Sequence, residues 1–208
     1  MYLNLKEVPE EKHDLANDAF HRKDAKRFIA LADETSVGSQ IALVVDNSQQ
    51  LRETEIYEAA LLAAFTGRRL HRIWPTERLT ELFRRANRAK LRACGPDGAS
   101  KIGELYRGTA GKPNERRDRG FSWTTSLDCA CWYALREPGA INPQIRLGQV
   151  SPESVLCFTS TIDEEEYIVL PDDVKDGSLC HHQMIPDEMK QRAVAYAKRH
   201  GLHFPVTE

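Results

Sequence analysis

Tyr106, Arg107 and Gly108 form the first of three runs whose residue types could bind a charged ligand. An arginine is always protonated, and its planar guanidinium can hydrogen-bond two phosphate oxygens at once. A neighbouring glycine lets a ligand approach the backbone closely. The run therefore predicts an anion-binding strand end, while an edge-strand arginine in a salt bridge is the ordinary alternative.

Ser122 and Thr124 belong to the second run, in which two hydroxyls alternate with two aromatic residues. Successive side chains of a strand point to opposite faces, so both hydroxyls are predicted on one face and both rings in a core. Thr124, Thr125 and Ser126 offer a second register for the hydroxyl motif. Taken alone, the run also fits a half-exposed strand with its polar residues outward.

Four consecutive carboxylates form the third run, which ends at Glu166, directly before the apolar segment Tyr167–Leu170. A solvated acidic turn is the plain interpretation. In extended backbone, however, Glu164 and Glu166 share a face at the rim of the predicted sheet. Two such carboxylates could polarise a sugar hydroxyl, stabilise an oxocarbenium-like centre and orient a nucleophile, as in glycosidic bond cleavage.

Apolar residues at helical spacing dominate the chain up to about Gly98. Ile41–Val45 is predicted as a short strand or a buried segment, and Thr76 as a helix N-cap. The expected helices cover residues 10–32 with a break near His21, residues 50–65 and residues 76–93.

Short β-like segments separated by turns follow Gly98. Strands with few intervening helices favour an α+β fold over a repeated βαβ arrangement. The expected strands cover residues 105–107, 121–124, 155–159 and 167–170, and the expected helices cover residues 127–136 and 186–199.

Composition excludes several classes of protein. The net charge of −2 over 208 residues gives no bulk indication of nucleic-acid binding. The sequence has no apolar run of membrane-spanning length and no export-signal pattern, which predicts a soluble, cytoplasmic protein. Its five cysteines are odd in number and irregularly spaced, which favours free thiols over a disulfide framework. Cys180–His182 lacks a second ligand pair, so no metal is expected.

Taken in order, the three runs resemble the arginine–serine–glutamate class of mono-ADP-ribosyltransferases. That family has aromatic-Arg-Gly on its first core strand, a Ser-Thr-Ser-like motif on a second, and Glu-x-Glu before a third. Here these motifs resemble Tyr106–Gly108, Ser122–Thr124 and Glu164–Glu166. The segment Leu127–Ala134 is similar to the family's helix behind the NAD+ site. The resemblance covers about residues 100–175 and departs from the family pattern at Trp123.

The resemblance implies a fold and an activity. The fold would be α+β, with an ADP-ribosyltransferase-like split β-sandwich core in residues 99–208 after a mainly helical region in residues 1–98, or one continuous domain. The activity would be cleavage of NAD+, the co-substrate, and transfer of ADP-ribose to a protein side chain or to an RNA or DNA base. A NAD+ glycohydrolase and a non-catalytic NAD+- or nucleic-acid-binding module are the alternatives.

Roles on the NAD+ side of the reaction are implied for the first two motifs. Arg107 would bind the phosphates or the nearby ribose, and the Gly108 amide would contact nicotinamide, with Tyr106 beside them. Ser122 would position Arg107 and the nicotinamide ribose, and Thr124 would support that arrangement.

The carboxylates and the acceptor complete the implied reaction. Glu166 would hydrogen-bond the ribose and stabilise the cationic transition state, and Glu164 would orient or deprotonate the acceptor. The family also suggests an intracellular toxin, of a toxin–antitoxin or phage-defence system, with an antitoxin or inhibitor protein as partner. A basic loop with Lys112, Arg116, Arg117 and Arg119 could bind pyrophosphate or contact a nucleic-acid acceptor. A helical stripe of Arg84, Arg88 and Arg92 is either an ordinary solvated helix face or a contact for a phosphate backbone.

Overall fold

The chain forms two compact units, which are called here the helical unit, Met1–Cys94, and the sheet unit, Gly95–Glu208. Each is described by itself. A computed structural model describes residues 2–36, 38–66, 74–96, 104–112, 120–161, 164–174, 180–182, 184 and 186–205.

Amphipathic and apolar helices build the helical unit. Its core consists of side chains with at most 2% exposure, including Phe28, Ile41, Leu61, Leu79 and Leu91. The helices of its described residues are α1 (His13–His21), α2 (Ala25–Ala30), α3 (Ser39–Asp46), α4 (Ser48–Glu53), α5 (Tyr57–Thr66), α6 (Thr76–Arg84) and α7 (Arg88–Ala93).

Helix α3 corrects the prediction of a strand at Ile41–Val45. Ile41, Leu43 and Val44 are completely buried, so the prediction of a buried segment is confirmed. The β-branched residues suggested a strand, but packing inside a bundle of helices outweighs their modest intrinsic preference.

Two predicted helices are each divided in two. The break between α4 and α5 lies at Glu55, whose φ of 65° is left-handed and cannot continue a helix. The break between α6 and α7 lies at Asn87, whose side chain caps α7 by accepting a hydrogen bond from Lys90 N at 3.1 Å. Thr76 was the wrong cap, because Pro75 precedes α6 without a side-chain hydrogen bond.

Within its described residues, the sheet unit contains two three-stranded antiparallel sheets and two α-helices. The first sheet has the order β1-β3-β6 and the second has the order β2-β5-β4. The elements are β1 (Glu104–Thr109), β2 (Ser122–Trp123), α8 (Leu127–Leu135), β3 (Gln144–Gln149), β4 (Val155–Thr161), β5 (Glu164–Val169), β6 (Cys180–His182) and α9 (Pro186–Arg199). Helices together with antiparallel sheets confirm the predicted α+β class.

Helices α8 and α9 cover one face of the first sheet. Gly108 of β1 packs so closely on α8 that a β-carbon would overlap the Ala130 carbonyl oxygen. Tyr106 and Ile145 point to the same side and contact the apolar cluster of the two helices. The opposite face of β1 carries Leu105, which packs with Trp123 of the second sheet.

Within the part of the chain that the structure describes, no helix combines the length and the apolar character needed to cross a membrane.

Candidate functional site

Arg107 joins the first two sequence runs. Its side chain is half-buried, and Nη1 donates a hydrogen bond to the Ser122 carbonyl oxygen at 2.7 Å. The guanidinium lies directly against Gly120, where a β-carbon would overlap it. A guanidinium held at two places by neighbouring backbone loses little further freedom when it binds a ligand.

A backbone bridge joins the two sheets next to this arginine. Tyr106 N donates to Thr124 O at 2.7 Å, and Thr124 N donates to Tyr106 O at 2.9 Å. Because side chains alternate along β1, Tyr106 faces the helices while Arg107 faces the second sheet. Tyr106, predicted to contact the co-substrate, therefore does not share a face with Arg107.

The hydroxyls of the second run have different surroundings. Thr124 is buried, and its Oγ1 accepts a hydrogen bond from Ser126 N at 3.0 Å. Ser126 Oγ caps α8 by accepting from Cys129 N at 3.2 Å. Ser122 is half-buried, and its hydroxyl makes no hydrogen bond among the described residues. The Thr124–Ser126 register thus serves the start of α8, which favours Ser122 as the ligand-facing hydroxyl.

Glu164–Glu166 of the acidic run lie within a strand, which corrects the prediction that they precede one, while Asp163 lies outside the described residues. β5 begins at Glu164, and Glu166 lies opposite Thr159 of β4. Thr159 Oγ1 donates to Glu166 Oε2 at 3.4 Å. The acidic turn is therefore wrong for the last three carboxylates, because cross-strand pairing extends the ladder through them. Glu164 pairs with Thr161 at the strand's first position.

Glu165 faces the opposite side of β5. Its Oε2 accepts a hydrogen bond from Thr125 Oγ1 at 2.8 Å. Burial, and to a smaller extent the negative charge of Glu165, raises the pKa of Tyr167, which lies on the same side. Glu165 and Glu166 therefore point to opposite faces of β5. Glu165 accepts a hydrogen bond from Thr125, and Glu166 accepts one from Thr159.

Strand register brings Glu166 to the Ser122 side of the second sheet. Ser122 lies opposite Ile168 and Trp123 lies opposite Tyr167. Paired residues share a face, so Ser122, Ile168 and Glu166 point the same way. Diagonal neighbours of this kind are separated by about 7–8 Å. Register therefore places Ser122 and Glu166 on one face of the second sheet. Arg107 lies on the face of β1 that packs against Trp123, and it meets the second run through its hydrogen bond to the Ser122 backbone carbonyl.

Gly108 has a packing role that the sequence analysis did not predict. The sequence analysis explained this glycine by the approach of a ligand to the backbone. In the structure, α8 occupies the space that a side chain at position 108 would need. Overlap with the Ala130 carbonyl would push the helix away from β1, so packing alone requires the glycine.

Arg146 is a candidate that the sequence analysis missed. It lies on β3 directly opposite Arg107, and paired residues share a face of the sheet. The signal was present, because Gln144–Gln149 alternates polar residues with Ile145 and Leu147. The strand was not predicted because the segment contains a glycine and few apolar side chains.

The structure describes one residue of the predicted basic loop and all three arginines of the predicted helical stripe. Lys112 is exposed just after β1, whereas Arg116, Arg117 and Arg119 lie outside the described residues. The helical stripe is wrong as a single feature, because Arg84 ends α6 and Arg88 begins α7. The break between them removes the common helical axis on which a stripe depends.

Cys131 is buried in the apolar cluster of α8 and α9. Burial raises the pKa of Cys131 to about 12, so its thiol stays protonated and is a poor nucleophile or metal ligand. No group of three or more histidine, cysteine or acidic side chains occurs within the described ranges at metal-binding proximity. No protein-family model matches the sequence, and searches of curated proteins and of solved structures return no significant match.

Proposed function

We propose that the protein is a mono-ADP-ribosyltransferase that cleaves NAD+ and transfers ADP-ribose to a macromolecule. The observations that support this best are the hydrogen bond from Arg107 to the Ser122 backbone and the shared face of Ser122 and Glu166 in the second sheet. Each comes from a different strand, each is half-buried, and the three match the ordered motifs of the arginine–serine–glutamate class. Two three-stranded antiparallel sheets bridged at Tyr106 and Thr124 are compatible with the split β-sandwich expected of that class.

Glu166 acts at the reacting sugar in this proposal. Its carboxylate accepts a hydrogen bond from a ribose hydroxyl and stabilises positive charge as the bond from the sugar carbon to nicotinamide breaks. The bonding electron pair leaves with nicotinamide, which departs as a neutral base. Thr159, bonded to one carboxylate oxygen, fixes the orientation of the side chain.

Arg107 and Ser122 orient the dinucleotide. Arg107 binds phosphate oxygens, and the Ser122 hydroxyl contacts the ribose that carries nicotinamide. Positioning by fixed groups is effective because it removes the need for reorganisation during the reaction. Glu164 takes the proton of the attacking acceptor group, so the product is ADP-ribosylated acceptor, nicotinamide and one proton.

Transfer of label from NAD+ tests the proposal. The protein is incubated with adenylate-labelled NAD+ and a cell extract, and the products are treated separately with protease and with nuclease. Label in macromolecules that is absent with Glu166→Gln supports the transferase. Loss of label on protease identifies a protein acceptor, and loss on nuclease identifies RNA or DNA. Free nicotinamide with ADP-ribose but no labelled macromolecule indicates hydrolysis, and intact NAD+ contradicts any catalysis.

A further inference from the structure

Arg107 and Arg146 form a cross-strand pair in the first sheet. β1 and β3 run antiparallel with Arg107 opposite Arg146, so the two side chains leave the sheet on the same face. Like charges placed directly opposite destabilise such a pair. An anion bound between the two guanidinium groups would reduce that repulsion.

The same face of the sheet is packed at one end and polar at the other. Leu105 and its partner Gly148 lie under Trp123, and a β-carbon on Gly148 would come within 3.0 Å of that ring. The arginine pair is the next pair on this face, and Thr109 with Gln144 follows it. The arginines therefore stand where the packed interior between the sheets gives way to polar residues.

Arg107 is also oriented from the second sheet. Its hydrogen bond to the Ser122 carbonyl and its contact with Gly120 fix the guanidinium plane. Arg146 is half-buried and lies beside it on the neighbouring strand. Cβ atoms of paired residues are about 4.5–5.5 Å apart, a spacing that lets two guanidinium groups reach adjacent phosphates.

We propose that Arg146 is a second anion-binding residue and that Arg107 and Arg146 together bind a diphosphate. This rests on the proposed function in naming NAD+ as the dinucleotide. Each phosphate of a diphosphate carries a negative charge, so two guanidinium groups neutralise the linkage. Arg107 then both connects the strands and binds one phosphate, and Arg146 binds the other phosphate.

Binding of ADP-ribose and of inorganic pyrophosphate, measured by calorimetry, tests the role of Arg146. We expect Arg146→Gln to weaken both ligands at least about tenfold, since a charge-assisted pair is lost. Arg146→Lys should restore only part of the affinity, because an ammonium cannot form two parallel hydrogen bonds. Unchanged affinity in Arg146→Gln would overturn the proposal, as would a wild-type protein that binds neither ligand.

A matched control removes the same charge elsewhere in the sheet unit. Arg136→Gln deletes a guanidinium that stacks on Tyr133, 4.4 Å from the ring centroid. It should bind both ligands as the wild type does, and equal weakening there would assign the effect to net charge. Thermal unfolding of every variant shows that it is folded.

The inference and the proposed function can fail separately. If diphosphate binding depends on Arg146 but the wild type releases no nicotinamide from NAD+, the anion site stands and the transferase proposal fails. If Arg146→Gln cleaves NAD+ with unchanged KM, the transferase proposal stands and the diphosphate role of Arg146 is wrong.

Discussion

Buried polar side chains of the helical unit differ from the polar side chains gathered in the sheet unit. Asn47 is completely buried. Its Oδ1 accepts a hydrogen bond from Asn4 N at 2.7 Å, and its Nδ2 donates to the Asn4 and Leu43 carbonyl oxygens at 2.9 Å each. Glu58 is only 6% exposed, and its carboxylate accepts from Asn87 N at 2.9 Å at the start of α7. Both side chains satisfy backbone groups, which is a structural role.

Arg107, Ser122 and Glu166 are half-buried instead. They come from three strands, with Ser122 and Glu166 on one face of the second sheet and Arg107 hydrogen-bonded to the Ser122 backbone. A group that binds a ligand must retain contact with solvent, while a group that completes the fold need not. In this molecule the fully buried polar side chains complete backbone hydrogen bonding, whereas the candidate site residues are partly buried and come from paired or bridged strands.

Replacement of Glu166 by glutamine should produce the largest change. We expect nicotinamide release from NAD+ to fall about 10²–10³-fold, because a neutral amide cannot stabilise the developing sugar cation as a carboxylate does. Glu165→Gln is the matched control, since Glu165 faces the other side of β5 and bonds Thr125. Equal losses in the two variants would contradict the separation of the carboxylates by strand alternation.

Replacement of Asn47 by alanine tests the opposite side of the comparison. The change removes a buried amide that binds the Asn4 backbone and donates to the Leu43 carbonyl, which should cost about 1–3 kcal/mol in the free energy of unfolding. Denaturant unfolding measures the loss. Nicotinamide release by the folded fraction should be unchanged, and a large fall in kcat at full folding would show that polar residues of the helical unit also serve the reaction.

Replacement of Gly108 by alanine should cost about 1–3 kcal/mol through overpacking against α8. Thermal unfolding measures the change, and Gly139→Ala is a poor comparison because its φ of 70° adds backbone strain. A better control is Ala110→Ser, because Ala110 is exposed just after β1. If Gly108→Ala is as stable as the wild type, α8 moves aside for the added β-carbon at little cost, and the predicted overpacking is wrong.

Replacement of Thr159 by valine should have the smallest effect. The change removes the hydroxyl that donates to Glu166 at 3.4 Å while keeping the branched shape. We expect kcat for nicotinamide release to fall about two- to tenfold, in line with one modest neutral-to-charged hydrogen bond. KM should stay constant, and Thr159→Ser should recover most of the rate. A change confined to KM would assign Thr159 to binding instead.

Local patterns were sufficient for some elements of this fold. The helix at Leu127–Leu135 and the helix at Pro186–Arg199 match their predictions within one residue, because apolar spacing and caps are local properties. The strand at Glu104–Thr109 was also predicted, though shorter. These elements place Arg107 correctly on a strand and α8 directly after the hydroxyl run.

Features that depend on tertiary contacts were not predictable. The break before α7 depends on Asn87 and on the buried carboxylate of Glu58, which is 29 residues away in sequence. The pairing of Arg107 with Arg146 depends on strand order, since β3 lies next to β1 although β2 intervenes in the chain. No spacing in a single sequence encodes that neighbour.

The most direct measurement is a crystal structure with carba-NAD+, an analogue whose bond to nicotinamide cannot be cleaved. We predict that its diphosphate lies within hydrogen-bond distance, about 3 Å, of Arg107 and Arg146. The ribose that carries nicotinamide should lie at the same distance from Glu166 and on the Ser122 side of the second sheet. An analogue bound away from these residues, or with its ribose against Glu165, would contradict the account.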